Sequence, residues 1–267
     1  MRIGILDSGV GGLTLLATAL NILPQEDYYY YADVDHAPYG LRSENEVLEF
    51  TLRAADFLAE RGAGALVVAC NTATSAAIGA LRRRFAFPVF GMEPAVKPAL
   101  AAQKNGRILV TATPLTLRLE KYHNLVASLR AEDVVDELPL PELVTYAERE
   151  VFGDAVLPYL RSAGAGLDLT RYSTVVLGCT HFPFYRDQFR LLLPAAAVID
   201  GNEGVIRHLA GTLARDERLR GGGGEGAVKF FCSGREDDSE YQRRLKRALA
   251  WLLQSGRPQK TARGPGA

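Results

Sequence analysis

Cys70 and Cys179 each close an apolar run and open onto small polar residues. "ALVVAC" leads into Asn71-Thr72-Ala73-Thr74-Ser75, and "VVLGC" into Thr180-His181-Phe182-Pro183. A single free cysteine is commonly a buried, inert apolar side chain. Two at strand ends, each followed by hydroxyl or amide groups, point instead to reactive thiols. A helix starting just downstream would stabilise each thiolate and lower its pKa from about 8.5 toward neutrality. His181 adds a cation or proton partner. One chemistry uses two equivalent thiols with a space between them: a proton leaves one face of a tetrahedral carbon while another arrives at the opposite face. Each thiol is then base in one direction and acid in the other, which is two-base racemisation. The polar residues after each cysteine would hold the carboxylate and ammonium of an amino acid, and preorganised donors would steady the developing negative charge.

Other uses of these residues fit less well. Cys70, Cys179, His181 and Asp7 have no short ligand spacing of the kind zinc sites show. A Cys–His hydrolase needs one nucleophile and leaves the matching Cys70 without a role. A disulfide suits a reducing compartment poorly. Cys232 stands in a tail strand without a polar packet and reads as structural. The turn Gly9-Val10-Gly11-Gly12 joins a strand to a helix and could hold an anion on its backbone N–H groups. It lacks the Gly-Lys-[Ser/Thr] of a phosphate-binding loop, and Thr14 stands where a dinucleotide fingerprint needs Gly or Ala. Asp33, at the next strand end, does sit where a ribose-binding acid belongs, so a nucleotide-binding module on this turn stays an alternative. Asp7 lies at the carboxyl end of the first strand, where open α/β sheets place ligands. It can bind an ammonium, orient a base or cap the following helix.

Composition narrows the partners. Lys+Arg and Asp+Glu balance at 31 each, which gives no basic surplus for nucleic acid or anionic membrane, so the expected partner is a small molecule. "MRIGILDSGVGG" does not read as a secretion signal, so none is expected. No apolar run approaches the roughly 20 residues of a membrane span. Three cysteines without a CxxC suggest reduced cytoplasmic thiols. Lys97, between prolines and away from either cysteine motif, is no convincing Schiff-base lysine.

The elements that must position these groups alternate between short apolar runs and amphipathic stretches, which predicts α/β architecture with parallel sheets. Strands are expected at Arg2–Leu6, Tyr28–Ala32, Ala65–Ala69 and Val228–Cys232. Helices are expected at Leu13–Leu20, from a capping box at Ser43–Glu46 to about Gly62, at Ser75–Phe85 and at Glu240–Leu253. The second half echoes the first: Arg107-Ile108-Leu109-Val110-Thr111 repeats Arg2-Ile3-Gly4-Ile5-Leu6, and Gly178-Cys179-Thr180-His181 repeats Ala69-Cys70-Asn71-Thr72, at nearly one offset. The predicted fold is two pseudo-symmetric parallel-sheet α/β lobes with the site between them. One lobe spans 1–96 plus 208–255, the other 97–207. Gly221–Gly224 reads as a flexible linker, and 256–267 as a disordered tail.

Taken together, these segments resemble the glutamate racemases of the cofactor-independent aspartate/glutamate racemase superfamily. The resemblance rests on Ile5-Leu6-Asp7-Ser8-Gly9-Val10-Gly11-Gly12, on Asp33 with Pro38-Tyr39-Gly40, on Ala69-Cys70-Asn71-Thr72-Ala73-Thr74, on Glu93-Pro94-Ala95 and on Gly178-Cys179-Thr180-His181-Phe182-Pro183. Leu143–Glu148 looks like the segment carrying a functional glutamate. The resemblance implies that Cys70 and Cys179 are the catalytic bases, with Asp7, His181 and Glu148 tuning them. It implies that Ser8, Asn71, Thr72 and Thr180 bind the α-groups of glutamate, that Tyr39 and Gly40 meet its side-chain carboxylate, and that Thr113 and Thr116 assist. It implies no pyridoxal phosphate, metal or nucleotide cofactor, and D-glutamate destined for peptidoglycan. A homodimer is compatible with it. A sister racemase acting on aspartate would share the fold and both thiols. The chain departs from the pattern at Asp200-Gly201, where Asp-Ser is frequent, at Leu140, where Cys is frequent, and in the glycine cluster at 221–226.

Overall fold

The computed structural model describes residues 1–102, 106–219, 225–236 and 240–255. The glycine linker at 221–224 and the tail at 256–267 lie outside the described residues. The first half runs β1 (Arg2–Asp7), α1 (Leu13–Ile22), β2 (Asp27–Ala32), α2 (Glu44–Glu60), β3 (Ala65–Val68), α3 (Asn71–Arg84), β4 (Val89–Gly91) and α4 (Val96–Ala102). The second runs β5 (Arg107–Ala112), α5 (Pro114–Arg118), α6 (Glu120–Ser128), β6 (Val135–Pro139), α7 (Pro141–Glu148), α8 (Leu157–Ala163), β7 (Tyr172–Leu177), α9 (Arg186–Leu192) and β8 (Ala197–Ile199). The chain continues through α10 (Asn202–Arg215), β9 (Val228–Cys232) and α11 (Glu240–Ser255).

Two wholly parallel sheets result, ordered β4-β3-β1-β2-β9 and β6-β5-β7-β8. Reading β5, β6, β7 and β8 as counterparts of β1, β2, β3 and β4 gives both halves the same strand order. The echo between Arg2–Leu6 and Arg107–Thr111 is therefore the echo of two central strands, β1 and β5. Likewise Cys70 follows β3 and Cys179 follows β7, which are equivalent strands. After the second sheet the chain returns to the first, where β9 pairs with β2 from Tyr28↔Val228 to Ala32↔Cys232.

Burial on both faces explains the near-continuous apolar runs of the central strands. Along β1, Ile3 and Ile5 face a cluster that also holds Leu109, Val175 and Leu177 of the other sheet, while Leu6 faces the opposite side with Val68 and Leu58. Ile108, Val110 and Val176 form the outer layer of the second sheet. Ser43 caps α2 as its spacing predicts: its side chain accepts from the Glu46 N–H while Glu46 reaches back to the Ser43 backbone.

The largest difference from the expected boundaries is at the start of α3. The helix expected from Ser75 begins at Asn71, and Cys70 itself is its N-cap. Thr72 and Thr74, poor interior helix formers, occupy the first turn, where the intrahelical ladder is not yet formed. No helix among the described residues is long and apolar enough to cross a membrane.

Candidate active site

Parallel strands deliver their carboxyl ends to one edge of each sheet, and the two edges meet. Asp7 ends β1, Cys70 follows β3, Thr113 follows β5 and Cys179 follows β7. Contacts across the meeting edges are direct. The Thr180 hydroxyl donates to Asp7 Oδ2 at 3.0 Å, and the Val10 N–H to Glu148 Oε1 at 2.8 Å. The Thr72 hydroxyl lies 3.0 Å from those of both Thr113 and Thr116, which are themselves 2.9 Å apart.

The glycine turn makes this approach possible. A Cβ on Gly9 would lie 1.8 Å from Glu148 Oε1; one on Gly11 would lie 2.4 Å from Thr180 Oγ1 and 2.5 Å from His181 Nδ1. The turn is therefore packed against the opposite sheet's side chains. Thr14, which breaks the dinucleotide fingerprint, donates its hydroxyl to Gly11 O and Thr180 O and accepts from Asn202 Nδ2 at 3.2 Å. Asp33 is also engaged, taking the Tyr39 hydroxyl at 2.6 Å, the Ser233 hydroxyl at 3.1 Å and the His36 ring at 2.9 Å. The glycine turn, Thr14 and Asp33, on which the nucleotide-binding alternative stood, are thus each engaged by partners within the protein.

Around the first thiol, Cys70 accepts the Ala73 N–H at 3.4 Å. A helix N-terminus pulls a thiol pKa toward neutrality; here the thiol is instead pushed up to about 12. Burial is the largest cause and the charge of Asp7 comes next, and together with Cys179 they outweigh the Ala73 N–H and the hydrogen bond with Ser8. Cys70 is thus a proton-bearing thiol at neutral pH. Asn71 is oriented by donating to Met92 O at 3.4 Å.

Around the second thiol, Cys179 Sγ lies 3.7 Å from His181 Nδ1, and His181 Nε2 lies 2.8 Å from Glu148 Oε1. Burial alone would lower the His181 pKa, but its bonds to Cys179 and Glu148 prevail and raise it well above its ordinary value. Burial would likewise raise Glu148, yet hydrogen bonds from His181, Tyr241 and Val10 bring it below the usual carboxylate value. A positive imidazolium against the Cys179 sulfur, balanced by a carboxylate, is the consequence. Asp7 is raised by complete burial, against opposing contributions from His181, the Gly9 and Gly12 N–H groups and Thr180.

The structure thus brings Asp7, Ser8, Cys70, Thr72, Thr113, Thr116, Glu148, Cys179, Thr180 and His181 to one interface, with Tyr39 and Gly40 at its edge, where a Cβ on Gly40 would meet Thr113 at 2.8 Å. Glu93, from another motif, pairs with Lys121 at 2.5 Å. Lys97 is exposed. The departures have local reasons: a Cβ on Gly201 would lie 2.5 Å from Met92 Sδ, and Leu140 is fully buried in the core. Tyr241, Asn202 and the Val10 N–H were not legible as site components. Tyr241 and Asn202 lie far from the motifs in sequence, and a backbone N–H leaves no residue-type signal.

Residues 14–209 match the family described as Asp/Glu/Hydantoin racemase. The glutamate racemase of Halothermothrix orenii is 51% identical over 251 residues, covering 93% of this chain and 98% of that protein. Glutamate racemase 2 of Bacillus subtilis is 45% identical over 262 residues, covering 96% and 98%. The crystal structure of Escherichia coli glutamate racemase with L-glutamate and the activator UDP-MurNAc-Ala superposes with a TM-score of 0.81 at 31% identity, over 94% of each chain.

Proposed function

The chain belongs to the Asp/Glu/hydantoin racemase family, and from that membership we propose how its two thiols carry out the reaction. The protein is an isomerase that interconverts L- and D-glutamate. Cys70 and Cys179 serve as the two bases. The thiolate of one takes the α-proton from its face of glutamate, and the electron pair stays on the substrate as a carbanion delocalised into the carboxylate. The thiol of the other returns a proton from the opposite face, so atoms and charge balance without any co-reactant. The observation that carries this reading is the equivalence of the cysteines: they follow equivalent strands of two sheets with the same strand order, at edges that face each other.

The rest of the site supports it. Cys70 holds its proton at neutral pH and is set up as the acid, while the His181–Glu148 pair places positive charge beside Cys179. Ser8, Asn71, Thr72 and Thr180 would bind the α-groups, with Thr113 and Thr116 beside them. Because the Tyr39 hydroxyl donates to Asp33, the backbone at Tyr39-Gly40, rather than the phenol, would offer donors to the side-chain carboxylate. Lobes of 1–96 with 208–255, and 97–207, divide the strands as the two sheets do, with the later boundary falling inside α10. The cytoplasm, where the three free cysteines stay reduced, and supply of D-glutamate for peptidoglycan complete the proposal.

Single Cys70→Ser and Cys179→Ser variants, followed by circular dichroism from either enantiomer, test it. Each should lose about a hundredfold or more in turnover, the scale of one positioned acid or base. Full racemisation by Cys70→Ser sinks the two-thiol mechanism.

A further inference from the structure

Glu148 is held from two directions. Its Oε1 takes the Val10 N–H and faces His181, while its Oε2 takes the Tyr241 hydroxyl at 2.6 Å. Tyr241 lies in the first turn of α11, in a part of the chain outside every motif discussed above. Its own placement is firm. The neighbouring Gln242 is buried and donates to Phe230 O of β9 at 2.9 Å, which sets the position of the helix on the first sheet. The Arg244 guanidinium sits 4.8 Å from the centroid of the Tyr241 ring and also donates to the Glu148 backbone carbonyl. A cation over the ring face fixes the ring and makes its hydroxyl a better donor.

We propose that Tyr241 is a positioning residue for racemisation: through Glu148 it holds His181 against Cys179, so the C-terminal helix governs the reactivity of one of the two thiols and not the other. The contacts run in series, Tyr241 hydroxyl to Glu148 at 2.6 Å, Glu148 to His181 at 2.8 Å, and His181 to Cys179 at 3.7 Å. A carboxylate fixed at both oxygens keeps one orientation, and its orientation dictates which ring nitrogen of the histidine faces the sulfur. Without the phenol, Oε2 loses its charge-assisted donor and the carboxylate is free to turn from the imidazole. Other titratable or charged groups facing the series are Asp7 and Tyr30 from the first sheet, Tyr185 from the turn after Cys179, and Arg244. A Tyr241→Phe change leaves each of these side chains in the protein, and Cys70 accepts the Ala73 N–H, on a different helix.

This inference rests on the two-thiol reading, and its test is separate from racemisation. Alkylation of the full-length protein by iodoacetamide, with each cysteine quantified by mass spectrometry across pH, reads the two thiols individually. In Tyr241→Phe the Cys179 alkylation rate at a given pH should fall about three- to tenfold, as expected for a weakened neighbouring charge, while the Cys70 rate stays in place. Glu148→Gln should slow Cys179 likewise, and adding Tyr241→Phe to it should cause no further slowing. An unmoved Cys179 in Tyr241→Phe overturns the proposal, as does a shift of both cysteines together, which is what general loosening produces. If Tyr241→Phe does not fold, Glu148→Gln still decides: an unmoved Cys179 there removes the series. Failure of the two-thiol reading shows elsewhere, as racemisation that survives loss of a cysteine.

Discussion

Asp7 illustrates how a buried carboxylate can cost stability. It is completely buried, accepting the Gly9 N–H at Oδ1 and the Thr180 hydroxyl at Oδ2, and burial raises its pKa. A raised carboxylate pKa means the folded state resists ionisation, so the penalty is absent below the unfolded value near 3.8 and complete above the folded one. Asp7→Asn keeps the Gly9 and Thr180 contacts, because the Thr180 hydroxyl can accept as well as donate. It loses the smaller interaction of its charge with His181 while escaping the larger cost of burying it. The variant should therefore melt a few degrees above the parent at pH 8, with the gap closing as the pH falls toward 4, and it should turn over glutamate more slowly. Thermal melts at both pH values check the first part, and a melting point at pH 8 equal to or below the parent's contradicts it. Cys70 shows the same competition from the other side: a helix N-terminus pulls the thiol down, but burial and the Asp7 charge pull harder. Residue type and position singled these groups out, yet the sign of the Cys70 shift depended on neighbours from other strands.

At the scale of elements, the β1–α1 turn decides how closely the sheets meet. Gly11→Ala places a Cβ 2.4 Å from Thr180 Oγ1 and 2.5 Å from His181 Nδ1. Both side chains are tied, one to Asp7 and the other to Glu148, so the turn has to withdraw. Turnover should fall at least about tenfold, since sub-ångström misplacement of catalytic groups is costly, and the melting point should drop by a few degrees. Gly79 offers the contrast. It is exposed within α3, and a Cβ there meets nothing nearer than Arg83 Nη1 at 3.5 Å, so Gly79→Ala should stabilise by about 0.5–1 kcal/mol with activity retained. Parallel kinetics and melts on both variants separate a close-approach glycine from a merely tolerated one. Equal effects at the two positions would show that the turn is not special. The element boundaries were mostly legible from periodicity and caps, as at Ser43. The start of α3 was not, because Cys70 is an uncommon cap that the usual Ser, Thr, Asp or Asn signals do not anticipate.

Across the whole molecule, the site belongs to neither sheet alone. Asp7, Cys70 and Thr72 come from one, Thr113, Thr116, Glu148, Cys179 and His181 from the other. A ligand that bridges these groups ties the two halves together, so binding free energy becomes resistance to unfolding. At about a hundred times Kd, glutamate should add roughly 2.7 kcal/mol, a rise of several degrees in Tm for a chain of this size. Aspartate, one methylene shorter, should give a smaller rise at equal concentration. Thermal shift with both amino acids checks this, and a larger effect from aspartate contradicts the substrate assignment.

The sequence by itself determined the alternation of strands and helices, the repeat, the two thiols and most of their polar neighbours. Those features are local: they follow from apolar periodicity and from which side chains can carry protons. Tertiary structure alone decided that Gly9 and Gly11 make room for Glu148, Thr180 and His181, that Thr14 bolts the turn to Thr180, and that Tyr241 reaches Glu148 from a helix more than ninety residues away. These are contacts between segments distant along the chain, and no spacing encodes them. They exist because two parallel sheets bring their strand ends face to face, and because the chain returns through β9 to lay its last helix against that edge.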